Sequence, residues 1–132
     1  MSLKLYGHLI SQPSRAELRA RAKVNQYLHW HHTNARLSTT QLENKDATIA
    51  KFTAILEQFF VDKYVAESDH VTVADFACYC ELDQLEAMDA FDFSKYPKTS
   101  EWMKRMKDIP HHDEIRVPMH DFIAKFNLKA SP

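Results

Sequence analysis

One glycine in 132 residues is the feature that most narrows what this chain can become. Strand-rich folds use glycine in their turns, and phosphate-cradling loops need it where backbone meets ligand. With Gly7 alone, both architectures are disfavoured and helices should carry the structure. The length predicts one domain, able to bury roughly two-thirds of its unfolded surface. Apolar residues make up 45% and charged residues 27%, and the formal net charge of -1 comes from interspersed signs. No basic face for nucleic acid is expected, and no run of residues is long enough to span a bilayer. The opening "MSLKLYGHLI" lacks the small-residue cleavage pattern of a signal peptide. Cys78 and Cys80 are two apart, on different sides of a helix, which suits neither a disulfide nor a tetrahedral metal site. A reduced, cytoplasmic setting is the expectation.

Along the chain, "LKLYGHLI" at 3–10 opens on alternating apolar residues and reads as one short strand. Pro13, Ser14 as N-cap and Glu17 as its capping-box partner then start a long first helix. The short polar residues of "LSTTQLEN" predict a turn, with Thr40 and Glu43 as a second capping box. Ile49, Phe52, Leu56, Phe59 and Phe60 recur at three and four, predicting a core-facing helix that ends near Tyr64.

The third helix carries the fullest start signal. Thr72 caps it, Asp75 reaches back to the cap, and Val71 is placed to staple onto Phe76. Its apolar residues lie on nearly all sides, so a central, buried helix is expected. Pro97 opens a fourth helix with Trp102, Met103 and Met106 on one face, and Pro110 stops it. A last helix, "MHDFIAKF", is expected after Pro118.

Three segments in order, "SQPSRA" after a short strand, "KVNQYLHWHHTNAR" and "HVTVADFACYCELDQLEAMDAFDFSKYPKTSEWMKRM", closely resemble glutathione transferases of the theta class. The resemblance covers nearly the whole chain. It implies an all-α helical bundle like that family's C-terminal domain, with one short N-terminal β-strand as a remnant. By this reading residues 1–16 are what remains of a thioredoxin-like domain, and residues 17–132 form the helical domain. The family joins the thiolate of glutathione to hydrophobic electrophiles, a detoxification chemistry in which glutathione is co-substrate and no further cofactor is implied. By resemblance Ser11 is the hydroxyl that hydrogen-bonds the glutathione sulfur, Gln12 and Arg15 help hold the peptide, and Tyr27, His31 and Arg36 line the electrophile pocket. A free thiol with a pKa near 8.5 is a poor nucleophile at neutral pH, and a donor aimed at sulfur favours the thiolate.

The chain departs from the family after Ala16. A complete member continues through further strands, a cis-proline that grips the glutathione backbone, and a glutamate-serine pair that holds its γ-glutamyl end. Here the sequence passes from "SQPSRA" into what resembles the first helix of the C-terminal domain, and Val117-Pro118 lies too late to be the cis-proline. One hydroxyl supplies roughly 0.5–1.5 kcal/mol, whereas micromolar to millimolar binding needs about 4–8 kcal/mol. Two readings therefore stand side by side. The chain is a theta-like transferase with an impaired glutathione site, or a non-catalytic module whose uncovered helix face binds a protein partner or a second copy.

Each residue has a plainer reading as well. Ser11 is also a turn residue before proline, Arg15 a solvated helix charge, Tyr27 a core aromatic, and Arg36 a charge near a helix C-terminus. His29 and His32 share a helix face at metal-ligand spacing, but packing or solvent exposure explains them without a metal, and none is expected. His111, His112 and Asp113 read as a helix entry. Cys78 and Cys80 read as core thiols.

Overall fold

The computed structural model of the protein describes the backbone of residues 12–40 and 45–129 and the side chains of 16–35 and 45–129. Five helices follow one another: α1 (Gln12–Thr40), α2 (Lys45–Phe59), α3 (Val73–Ala87), α4 (Pro97–Lys107) and α5 (His112–Phe126). A 3-10 turn, Phe93–Lys95, precedes α4. The described residues contain no strand, only an isolated bridge between Tyr64 and Ser68. The strand expected at 3–10 lies outside them. None of the described helices is long and apolar enough to cross a membrane.

α3 is the centre of the bundle, packed against α1, α4 and α5. Its start follows the sequence signal. Thr72 is in the extended region, its side chain accepts from the Ala74 N–H at 3.2 Å, and its own N–H donates to Asp75 Oδ2 at 2.9 Å. This reciprocal box satisfies backbone donors that a helix start otherwise leaves bare. Asp75 has no exposed surface. Its second oxygen accepts from the Val65 N–H at 3.0 Å and from the Trp102 indole at 2.8 Å, so one carboxylate ties α3 to the preceding loop and to α4.

The core gathers Tyr27, Ile49, Leu56, Leu82, Trp102 and Met106 from α1 to α4, all buried. Pro97 sits in the first turn of α4 as expected, and Trp102, Met103 and Met106 turn inward together. The α2 stripe is buried at Ile49, Phe52 and Leu56, with Phe59 only partly covered.

Several boundaries differ from expectation, each for a local reason. α1 begins at Gln12, so Ser14 is inside the helix rather than its cap; Pro13, with its backbone preset for a first turn, fits that earlier start. Residues 37–40 continue α1, making Thr40 its last residue and not the cap of the next helix. α2 ends at Phe59, five residues before Tyr64, because Phe60 leaves the helix to pack on Trp102 with ring centroids 5.4 Å apart. α5 starts at His112 and carries Pro118 inside it. Pro118 is exposed, and its cost is the lost N–H bond to the carbonyl four residues back. Phe76, expected to meet Val71, is 45% exposed, while Val71 packs against the core. Cys78 is buried as expected, but Cys80 is exposed.

Candidate functional site

Two adjoining grooves lie where the first half of α1 faces the loop before α3. The first, about 1100 Å³, runs along Ala16 to Asn25 on one side and Asp62 to Thr72 on the other. Its walls carry opposite charge: Arg19, Arg21 and Lys23 on the helix, Asp62, Glu67 and Asp69 on the loop. A hydrogen bond from His70 holds the Asp69 carboxyl below its ordinary value. The second groove, about 310 Å³, is lined by Trp30, Phe59 and Ile55 between α1 and α2.

Lys23 and Glu67 line both grooves, and their ion pair at 2.6 Å marks the boundary between them. Glu67 reaches this position from a left-handed backbone, φ 52°. The result is a charged compartment beside an aromatic one, separated by one exposed salt bridge.

Beneath the aromatic groove lie Tyr27 and His31. The Tyr27 ring meets Phe59 edge-on at 5.4 Å and Trp30 at 5.8 Å, and its hydroxyl lies 3.1 Å from His31 Nδ1. Tyr27 is fully covered and His31 nearly so, so both form the floor under the lining rings rather than the lining itself. Burial, and then the Cys78 thiol beside it, push the Tyr27 phenol well above its ordinary range. Burial also raises the Cys78 thiol, and Cys80 in the same sense. Neither cysteine is a thiolate at neutral pH, so nucleophilic sulfur at this site would have to arrive with a ligand.

Ser11 lies outside the described residues. Gln12, Arg15 and Arg36 are in the α1 backbone, but their side chains lie outside the description, so no geometry joins them to the grooves. The charged groove begins at Ala16, next to Arg15. His29 and His32 are exposed, and the described residues hold no group of three or more metal-ligating side chains. His112 opens α5, with Nε2 2.7 Å from the Tyr79 hydroxyl and Nδ1 2.9 Å from Asp113. It is a structural joint between α5 and α3.

The sequence reading did not single out Lys23, Glu67, Trp30 or Phe59 as site residues. Trp30 and Phe59 carried a signal, as large aromatics at helical spacing beside Tyr27 and Phe52. Lys23 and Glu67 are 44 residues apart, and no local pattern links them.

The family model for "Glutathione S-transferase, C-terminal domain" matches residues 20–112, and the chain belongs to that family. Glutathione S-transferase T1 of Arabidopsis thaliana is 28% identical, with 83% of this chain and 54% of that protein covered. Glutathione S-transferase theta-1 of Mus musculus is 27% identical over the same shares of the two chains. The chain thus spans about half the length of these relatives. An epsilon-class glutathione S-transferase structure from the housefly, Musca domestica, superposes with a TM-score of 0.69 at 24% identity, covering 86% of this chain and 60% of that one. The helices therefore adopt the all-α fold of that C-terminal domain.

Proposed function

We propose that this chain serves theta-type glutathione transfer, with residues 17–132 as the helical, electrophile-side domain and residues 1–16 as the start of the glutathione side. The observation that carries the reading is the pair of adjoining grooves. Glutathione is a zwitterionic thiol peptide, and the electrophiles such enzymes take are apolar; a groove with cationic and anionic walls beside an aromatic groove suits that pair. In this reading Ser11 donates to the glutathione sulfur, Gln12 and Arg15 hold the peptide, and Tyr27, His31 and Arg36 support the electrophile side. The thiolate forms a sulfur–carbon bond while the leaving group departs with its electron pair. A cytoplasmic location is part of the same proposal, since the reduced thiol has to be abundant.

The test is glutathione calorimetry on the 132-residue chain beside Ser11→Ala, followed by turnover of an aryl halide. Saturable binding that the substitution weakens supports the reading. No heat up to several millimolar would sink it, because one hydroxyl supplies only roughly 0.5–1.5 kcal/mol and the grooves would then add nothing.

A second reading, a helical interaction or dimerisation module, is favoured by a different observation: Ile115, Phe122 and Phe126 of α5 are all more than half exposed.

A further inference from the structure

α5 meets α3 through a line of four side chains. Asp113 Oδ1 lies 2.9 Å from His112 Nδ1, and His112 Nε2 lies 2.7 Å from the Tyr79 hydroxyl. That hydroxyl is 3.2 Å from Asp83 Oδ1 and placed to donate to it. Tyr79, Asp83 and His112 are buried, whereas the Asp113 side chain is exposed. Arg116 anchors Asp83, its Nε and an Nη reaching the two carboxylate oxygens at 2.9 and 2.7 Å.

The line has three links between two carboxylate ends, and an ionised carboxylate only accepts, so filling every link takes three protons. The Tyr79 hydroxyl brings one. A neutral imidazole brings one more, an imidazolium two. With Nδ1 protonated and Nε2 bare, the phenolic proton turns to Nε2, and the Tyr79 oxygen faces Asp83 Oδ1 with no hydrogen between them. The other neutral tautomer keeps both Tyr79 links and sets a bare Nδ1 against Asp113. Either way one link is empty. Only the imidazolium fills all three.

The charges around the joint favour the added proton. From α3 it faces Asp83, with Glu86 behind at 4.0 Å from Arg116, and the Cys80 thiol beside Asp83 is neutral at pH 7. From α5 it faces Asp113 and Arg116, with His120 and Asp121 further along the same side. From α4 the Trp102 ring packs on Tyr79, and Lys107 is paired with Glu86 at 2.8 Å. His111 is turned away to Glu114. Acids outnumber bases here, and an excess of negative charge stabilises an imidazolium.

We propose that the α3–α5 joint is a proton-operated latch: with His112 protonated, Asp83, Tyr79, His112 and Asp113 form one unbroken hydrogen-bonded line that holds α5 down, and with His112 neutral one link is empty and α5 opens more readily. Linkage sets the direction. A proton held by more bonds in the closed joint than in the open one adds stability in mild acid, and that stability is lost as pH rises through the range in which histidine changes charge. The latch goes beyond glutathione chemistry and does not depend on it.

Hydrogen exchange of the α5 amides in the 132-residue chain, at about pH 5.5 and about pH 8 and corrected for intrinsic rates, tests it. The opening constant of α5 should be about tenfold smaller at the lower pH, as one charge-assisted hydrogen bond supplies. Imidazole nitrogen shifts should show both His112 nitrogens protonated there. His112→Gln should abolish the pH difference. Asp113→Asn, at an exposed position that leaves the core untouched, should reduce it while the circular dichroism spectrum stays the same. Opening that is indifferent to pH overturns the proposal. So does easier opening in acid, where burial would outweigh the surrounding acids, or a difference that persists in both variants. Loss of glutathione binding leaves this result unaffected, so the two readings fail separately.

Discussion

The indole N–H of Trp102 donates to Oδ1 of Asp75 at 2.8 Å, joining α4 to the first turn of α3 across 27 residues. The same carboxylate accepts from the Val65 N–H, the Thr72 N–H and the Thr72 hydroxyl. Four donors from the loop, the cap and α4 therefore depend on one buried side chain. Asp75→Ala should leave them unsatisfied and lower stability by about 3 kcal/mol or more. Asp75→Asn should cost nearly as much, since its amide turns a donor toward donors. Urea midpoints at unchanged slope would measure both; a loss below about 1 kcal/mol would contradict the central role given to Asp75.

α5 is held to α3 by a second buried acid. Arg116 meets both oxygens of Asp83, at 2.7 and 2.9 Å, and the Asp83 side chain is only 5% exposed. Arg116→Met should cost about 2–4 kcal/mol because it strands a buried carboxylate, whereas Arg116→Met with Asp83→Leu should recover much of that loss. Hydrogen exchange should show the opening confined to α5 and the face of α3 beneath it.

The two thiols should separate cleanly. Native protein should release one equivalent with a thiol reagent, from exposed Cys80, more slowly than free cysteine does because its pKa is raised. Cys78 should react only on unfolding. Cys80→Ser should abolish the native reaction, and Cys78→Ser should leave it intact.

Alkaline pH should destabilise the fold. The Tyr27, Cys78 and Tyr79 protons are all held more tightly in the folded chain, with burial the leading cause in each. Their contribution is complete below the unfolded values, about 8.5 for a thiol and 10 for a phenol, and is lost as pH rises toward the folded ones. Melting temperature should fall above about pH 9. Absorbance at alkaline pH should show Tyr27 and Tyr79 resisting ionisation until the chain unfolds.

Lys23→Ala should change stability by less than about 1 kcal/mol, since both partners of its ion pair are exposed. Fluorescence of Trp30, in a Trp102→Phe background, should instead report easier entry of an apolar quencher into the aromatic groove.

Local chemistry made part of this legible before any coordinates. Thr72 with Asp75 and Pro97 announced two helix starts, and Trp102, Met103 and Met106 announced a buried face. What escaped was decided at a distance. The early end of α2 depends on Phe60 finding Trp102, 42 residues away, and the start of α5 depends on His112 meeting Tyr79. Pro118 misled because proline usually marks a boundary, yet here it sits on an exposed helix face inside α5, at the cost of one backbone hydrogen bond. The grooves were illegible for the same reason, since the Lys23–Glu67 contact that divides them exists only once the loop has folded back on α1.

The left-handed corners of this nearly glycine-free chain add a last consequence. Glu67, Asp89 and His111, three of the four described residues with positive φ, each also hold a side-chain partner: Lys23 and Lys129 through ion pairs, and Glu114 through a hydrogen bond. Glycine at any of these corners would relax the backbone and at the same stroke cut a tether. The bends thus double as fasteners, and any attempt to make the protein hardier by easing its turns has to replace the clasp it removes.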